Sequence, residues 1–233
     1  MGVVMKANKK GLTESGFTLV EIAIVLVIIG LLLGGILKGQ EMITQAKIKN
    51  IINDFNGVTA AVNSYQDRYR ALPGDDLTAN TRWQTQGAVQ GNGDGVIGVA
   101  PGPTSCRYNN ILAATPTTAQ ECNLFWWHLR LGGFVPGSVT ATTASGIQPP
   151  NAVNGIIGVQ QGGLGFTSNI VCSSNLPDKI AIAVDTQMDD GTPGSGEIRA
   201  DLQSNPNPNV PAASTITAYQ ETGQNQYLLC KNL

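Results

Sequence analysis

From Phe17 to Leu72 the chain contains no proline, and its composition changes midway from uniformly apolar to amphipathic without a turn signal. The first part, residues 17–37, has about the 20 apolar residues that a helix needs to cross a bilayer. One continuous helix is the simplest interpretation, because nothing in the segment interrupts it. We therefore predict a helix over residues 17–72 whose half at 17–37 spans a membrane.

The second half of this helix is predicted to pack on a domain. Leu72-Pro73-Gly74 ends it, because the residue before a proline is pushed out of the helical region. Residues 73–233 then form a head that the helix joins. Apolar and aromatic side chains recur at spacings of three and four and mark one buried stripe: Ile48, Ile51, Ile52, Phe55, Val58, Val62, Tyr65 and Tyr69.

One carboxylate, Glu21, lies at the edge of the apolar run. An ionised group inside a membrane-spanning segment is costly, so its presence calls for a partner. We expect Glu21 to be unpaired, and therefore energetically unfavourable in the membrane, until such a partner is present.

The flanks of the apolar run predict its orientation. Lys6, Lys9 and Lys10 precede it, which is typical of the cytoplasmic side of a spanning helix. Beyond Leu37 the chain reads KGQEMITQA and offers no convincing small-residue cleavage site of the secretory type. We therefore expect a retained single-pass anchor with a cytoplasmic N-terminus and an outward-facing head.

All four cysteines lie in the outward part, where an oxidising compartment allows disulfides. Four cysteines allow three pairings, and the sequence does not decide among them. We favour Cys106 with Cys122 and Cys172 with Cys230, because the second pair would tie the C-terminal strand to the core. Free buried thiols are the alternative.

The head is predicted to be turn-rich and built on a small antiparallel sheet, so that the chain as a whole belongs to the α+β class. Most of the 28 glycines and 12 prolines follow Leu72. A formal charge of −2 with 13% charged residues argues against a nucleic-acid partner. Glu121–Leu131 is predicted as a short helix. Six segments are predicted as strands: Gly155–Val159, Leu164–Cys172, Lys179–Thr186, Gly196–Leu202, Thr215–Tyr219 and Gln226–Lys231.

The segment GFTLVEIAIVLVIIGLLLGG resembles the prepilin signature of type IV pilins and type II secretion pseudopilins. The resemblance implies that residues 1–16 are a leader, that a membrane peptidase cuts between Gly16 and Phe17, and that the same enzyme methylates the new amine of Phe17. It also implies three further partners: other pilin or pseudopilin subunits bound through the N-terminal helix, the ATP-driven inner-membrane assembly machinery, and membrane lipid. Many major pilins carry a proline midway along this helix, where this chain has Gly34-Gly35 and Lys38.

Cleavage would create the partner that Glu21 lacks. A new cationic amine on one subunit can approach Glu21 of its neighbour in a stack of identical helices, and opposite charges favour both charged forms. The sequence therefore predicts a structural subunit, pilin-like or pseudopilin-like and possibly minor. It would lie in the inner membrane before assembly, with a periplasmic head. After assembly it would lie in an extracellular pilus or a periplasmic pseudopilus.

No catalytic site is predicted. His128 is the single histidine, so any Ser-His-Asp or Cys-His site would have to be built around it. We expect His128 on the exposed side of the short helix, with Phe125, Trp126 and Leu129 packed inward. Trp126 and Trp127 are expected to pack in the domain, although they could also stack on a sugar or a base.

A calcium site is the one cofactor hypothesis, and it supports the alternative function of a calcium-dependent adhesive or ligand-binding module. GNGDGVIG, Gly91 to Gly98, resembles part of a calcium loop in which Asn92 and Asp94 offer oxygens. The full pattern is missing, and Asx and glycine turns explain the same residues. Further carboxylates could complete a site here if the fold brings them near: Asp75 and Asp76, or Asp185, Asp189 and Asp190.

Overall fold

The computed structural model describes residues 17–98, 106–112, 114–118 and 120–233. The predicted leader, residues 1–16, lies outside the described residues. The chain divides into two compact units, one ending at Ile43 and the other running from Thr44 to Leu233. Helix α1, Leu19–Tyr69, begins in the first unit and ends in the second. The long N-terminal helix predicted from the sequence is thereby confirmed.

In the second unit, α1 buries the predicted stripe. Ile52 and Tyr69 are partly buried at its margin. The helix ends at Tyr69, and Arg70 follows with a φ of 54°, just before the Leu72-Pro73 step. The buried members of the stripe pack into the main core of the head with the sheet and a short helix: Ile48, Ile51, Phe55, Val58, Val62 and Tyr65.

A four-stranded antiparallel sheet forms in the described part of the head. Leu164 and Gly165 connect the first two strands with φ values of 52° and 81°. Positive φ at both central residues is typical of a type I′ hairpin turn. This sheet confirms the predicted antiparallel head. Its strands are β1 Ile157–Gly163, β2 Phe166–Pro177, β3 Ile198–Leu202 and β4 Gln226–Asn232. They lie in the order β1-β2-β4-β3.

Short helices complete the described head. Helix α3 covers Glu121–Leu131, the bounds that the sequence predicts, and it buries Phe125, Trp126, Trp127 and Leu129. The remaining helical elements are α2 Ala79–Arg82, α4 Asp178–Met188 and 3₁₀ turns at Gln84–Gln86 and Thr143–Gly146.

Two predicted strands are wrong. Lys179–Thr186 lies inside α4, where Ile180, Ala181 and Val184 are buried at helical spacing. A short apolar run of this kind suits either structure, and burial of one helix face decides it. Thr215–Tyr219 forms no strand, and its first residue is bonded to a side chain rather than to a neighbouring strand. The N–H and the hydroxyl of Thr215 both donate to Asp201 Oδ1, at 2.8 and 2.7 Å.

Two disulfides lie in the head, in the combination that the sequence analysis favours. One joins Cys106 to Cys122, and the other joins Cys172 to Cys230. Cys172 and Cys230 are directly opposite each other on β2 and β4. The second disulfide therefore fixes the C-terminal strand to its neighbour.

The segment that follows α1 is braced by a buried carboxylate. Asp76 Oδ2 accepts hydrogen bonds from the Tyr65 hydroxyl at 2.7 Å and from Arg82 Nη1 at 2.5 Å. Oδ1 accepts the N–H and hydroxyl of Thr78, both at 2.8 Å. Asp76 thus joins α1 to α2 and is fully hydrogen-bonded.

The prediction that His128 lies on the exposed side of α3 is wrong, because its side chain is fully buried. The Gly74 N–H donates to Nδ1 at 3.0 Å, so the ring proton must lie on Nε2, which is 2.8 Å from the Val89 carbonyl oxygen. Both ring nitrogens are occupied by backbone groups. His128 is therefore a neutral structural residue that links α3 to two loops.

Burial of His128 makes the stability of the head depend on pH. Burial lowers the pKa of His128 to about 4, and the Val89 carbonyl opposes this shift. The unfolded chain takes up this proton near pH 6.5 while the folded chain does not, so stability is present above pH 6.5 and falls as the pH drops toward 4. We expect a loss on the order of 3 kcal/mol of unfolding free energy from this group, measured by urea unfolding across that range.

His128→Gln can keep both hydrogen bonds without titrating, and it should flatten the dependence of the unfolding free energy on pH between pH 6.5 and 5. An unchanged profile in that variant would contradict this account.

Candidate functional site

The start of α1 is held by a reciprocal set of hydrogen bonds between Thr18 and Glu21. Glu21 Oε2 accepts the Thr18 N–H at 2.8 Å and the Thr18 hydroxyl at 2.7 Å. The Thr18 hydroxyl oxygen in turn accepts the Glu21 N–H at 3.3 Å. This is a capping box, which satisfies N–H groups that have no partner within the helix.

The capping box corrects the expectation that Glu21 is unpaired before processing. Its carboxylate has donors within its own chain, and its negative charge lies at the positive end of the helix dipole. The spacing in Thr18-Leu19-Val20-Glu21 carries the capping-box signal, which the sequence analysis missed. Among the described residues, both donors go to Oε2 and none goes to Oε1.

The rest of the first unit presents an uncovered apolar surface. Its most apolar 18-residue window has a mean hydropathy of 2.8 and no buried residue, and the helix is long and apolar enough to cross a membrane. Leu19 is 91% exposed and Leu31 is 74% exposed. So much exposed apolar surface requires a cover of lipid or protein in water.

Helix α1 passes through its glycines without interruption. A Cβ atom at Gly30, Gly34 or Gly35 would meet no atom within 4 Å. Small residues of this kind let another helix approach closely. Lys38 follows and forms a 2.8 Å ion pair with Glu41. The region where many major pilins have a proline is continuous helix here.

The start of α1 belongs to a segment that matches a known family model. Residues 8–37 match the model of the prokaryotic N-terminal methylation motif. The chain carries the prepilin signature of type IV pilins and pseudopilins. Searches of curated proteins and of solved structures gave no match.

The prepilin signature has several direct implications. The motif supports a pilin-like or pseudopilin-like precursor, and it is typical of structural proteins of the pilin type. It implies processing by the prepilin peptidase and assembly with other pilins. Together with the apolar helix, it fits anchoring in a membrane before assembly. Of the two residues at the predicted cut, Phe17 is described and 83% exposed, whereas Gly16 lies outside the described residues.

The predicted calcium loop lies in the head, and the structure brings Asp94 together with Asp75 and Glu121. One carboxylate oxygen from each lies within 4.8 Å of the others, so the group could hold a metal ion. Asp76 lies elsewhere, in its own hydrogen-bond set with Tyr65 and Arg82. Glu121 was missed by the sequence analysis, because it is 27 residues beyond Asp94 on another element.

Backbone N–H groups occupy the two buried carboxylates of this group. The donors come from the loop itself: Gly93, Asp94 and Gly95 for Asp75, and Asn92 and Gly98 for Glu121. The Asp94 N–H also donates to Asn92 Oδ1, and Asp94 Oδ1 accepts the Val96 N–H. These are the Asx turns that were the alternative to calcium. The loop is therefore satisfied by its own hydrogen bonds, and the adhesive function stays a hypothesis.

Proposed function

We propose that this chain is the precursor of a structural subunit of a type IV pilus or a type II secretion pseudopilus. The prepilin peptidase removes residues 1–16, and the mature chain starting at Phe17 assembles through α1. The observation that carries the proposal is the first unit itself, an uncovered apolar helix that begins with a capped Glu21 inside a methylation motif.

Burial of the apolar helix supplies the driving force for assembly. Apolar surface that would otherwise face water is buried in the packed bundle, which favours association. Against lipid, which is as apolar as the helix, the gain comes instead from the close packing that the exposed glycines allow. This burial is non-directional, so it does not set the axial position of one subunit against the next. The charge of Glu21 supports a role in setting that position, through the amine created on a neighbour.

Gly16→Ala tests the processing step. We expect it to block cleavage, because the residue before the scissile bond must lie extended in an enzyme cleft without a side chain. Mass spectrometry of the N-terminus should then find the full leader, and sheared filaments should lack the chain. Gly11→Ala is the matched control, since it changes a leader glycine away from the cut and should be processed normally. A Gly16→Ala chain that is cut and incorporated like the wild type would refute the proposal.

A further inference from the structure

A second group of carboxylates lies in the head, far along the chain from the methylation motif. Asp185 comes from the last turns of α4, and Asp189 and Asp190 follow the end of that helix. One carboxylate oxygen from each lies within 4.8 Å of the others. None of the ion pairs found among the described residues involves these three side chains.

Asp185 is the unusual member of the group. Its side chain is fully buried, and its Oδ1 atom has no hydrogen-bond partner among the residues that the structure describes. The other oxygen, Oδ2, accepts the Tyr219 hydroxyl at 2.6 Å. A buried carboxylate oxygen without a partner is costly, and nearly all such atoms in folded proteins are satisfied. Within the described part of the chain, Asp185 Oδ1 therefore lacks a donor.

The neighbouring charges increase that cost. Burial raises the pKa of Asp185, and Asp190 and Asp189 raise it further, against the Tyr219 hydrogen bond that lowers it. The Gly191 N–H also lowers this pKa, but it does not reach hydrogen-bond geometry with Oδ1. Like charges held this close are stabilised by a cation between them.

The loop around the group is already shaped. Asp190 accepts the Thr192 N–H at 2.8 Å and the Ser195 hydroxyl at 2.7 Å. Asp189 Oδ2 accepts the Ile198 N–H at 2.8 Å, which ties the loop to the start of β3. These bonds fix two of the three carboxylates without involving Asp185 Oδ1.

The carboxylates of the group at Asp75 differ from Asp185 in their hydrogen-bond donors. There the buried carboxylates take five backbone N–H donors from one loop, so no cation is needed. At Asp185 no described donor serves Oδ1. The two groups have similar composition, and only the second leaves a buried acceptor unsatisfied.

We propose that Asp185, Asp189 and Asp190 bind one calcium ion in the head of this protein. Calcium takes six to eight oxygen ligands in flexible geometry, so three carboxylates can hold it with water completing its shell. Magnesium demands a stricter octahedron and gives up its water reluctantly, which suits this one-sided group less well. The ion would fix the end of α4 to the loop before β3 and, through Tyr219, to the segment that precedes β4.

Calcium titration of the full chain in detergent micelles tests the site. After treatment with EDTA, added calcium should raise the melting temperature once its concentration exceeds a dissociation constant on the order of 0.1–1 mM, as in extracellular calcium modules. At about 100 times the dissociation constant the shift should be about 5 °C. Magnesium should give a smaller shift. No calcium-dependent shift in the wild-type chain would overturn the proposal.

Three variants localise the effect. Asp185→Asn should abolish the calcium shift, and in EDTA it should melt no lower than the wild type, because it removes an unpartnered buried charge. Asp190→Asn changes an exposed residue and should weaken the shift without disturbing the core, which covers the case in which Asp185→Asn fails to fold. Asp94→Asn is the matched control and should keep the full shift. A shift retained in both Asp185→Asn and Asp190→Asn, or lost only in Asp94→Asn, would overturn the assignment.

Terbium gives a readout that does not depend on melting. Terbium takes calcium sites and emits when a nearby aromatic ring is excited, and the Tyr219 hydroxyl is 2.6 Å from Asp185 Oδ2. Emission should rise on terbium addition, fall when calcium competes, and be lost in a folded Asp190→Asn chain at low terbium. Emission unchanged by both carboxylate variants would count against the site.

Discussion

Glu21→Gln and Glu21→Ala should both reduce the amount of chain in sheared filaments at least about tenfold, while leaving cleavage at Phe17 intact. Both remove the negative charge that we propose to meet the amine of a neighbouring subunit. They differ in the cap, because the glutamine carbonyl can still accept the Thr18 N–H that Glu21 accepts at 2.8 Å. Filament recovery together with N-terminal mass spectrometry measures both steps in one sample.

The pair of variants separates two functions of one side chain. If Glu21 acts through its charge, glutamine and alanine assemble equally poorly. If it acts only by capping α1, glutamine assembles like the wild type and alanine does not, which would contradict the register role. Thr18→Val is the matched control, because it removes the hydroxyl that donates to Glu21 but leaves the carboxylate charged. We expect that variant to assemble near the wild-type level.

Removing the Cys172–Cys230 disulfide should cost the head about 4 kcal/mol of unfolding free energy, by the loop-entropy relation. The two cysteines are 58 residues apart, so the cross-link restricts a long loop of the unfolded chain. The double variant Cys172→Ala/Cys230→Ala avoids leaving a lone thiol. Urea unfolding of the full chain in micelles, followed by tryptophan fluorescence, measures the change.

The other disulfide is the matched control. Cys106 and Cys122 are 16 residues apart, so the same relation predicts a smaller loss of about 3 kcal/mol for Cys106→Ala/Cys122→Ala. Both pairs are buried, which keeps the cavity terms comparable. A larger loss from the shorter loop would contradict the loop-length explanation.

The parts of the fold that are periodic in the sequence were predictable. The α1 stripe and the bounds of α3 follow from helical spacing and from glycines that stop the helix. The prediction for Lys179–Thr186 was wrong because a short continuous apolar run fits a strand as well as a helix, and only burial of one helix face in the folded head decides between them. His128 failed because its polarity suggests exposure, whereas two backbone partners from distant loops let it be buried neutral.

The candidate sites also divide into residues that the sequence could identify and residues that only the folded chain brings together. Glu21 and the methylation motif are contiguous in the sequence and could be found there. Glu121 could not be joined to Asp75, because only the folded chain brings α3 against the loop at Asp94. The sequence does place Asp185, Asp189 and Asp190 near one another, but the unsatisfied oxygen of Asp185 depends on burial and can be seen only in the structure.

The two oxygens of Glu21 differ in their hydrogen bonds, and this difference affects how a subunit could join a filament. Oε2 holds the first turn of α1, and no described residue donates to Oε1, so one carboxylate can serve its own helix and a neighbour at once. A subunit would then join without melting and re-forming its helix end, and little ordering entropy would be spent on docking. Such a preorganised contact would lower the ordering cost of adding each subunit.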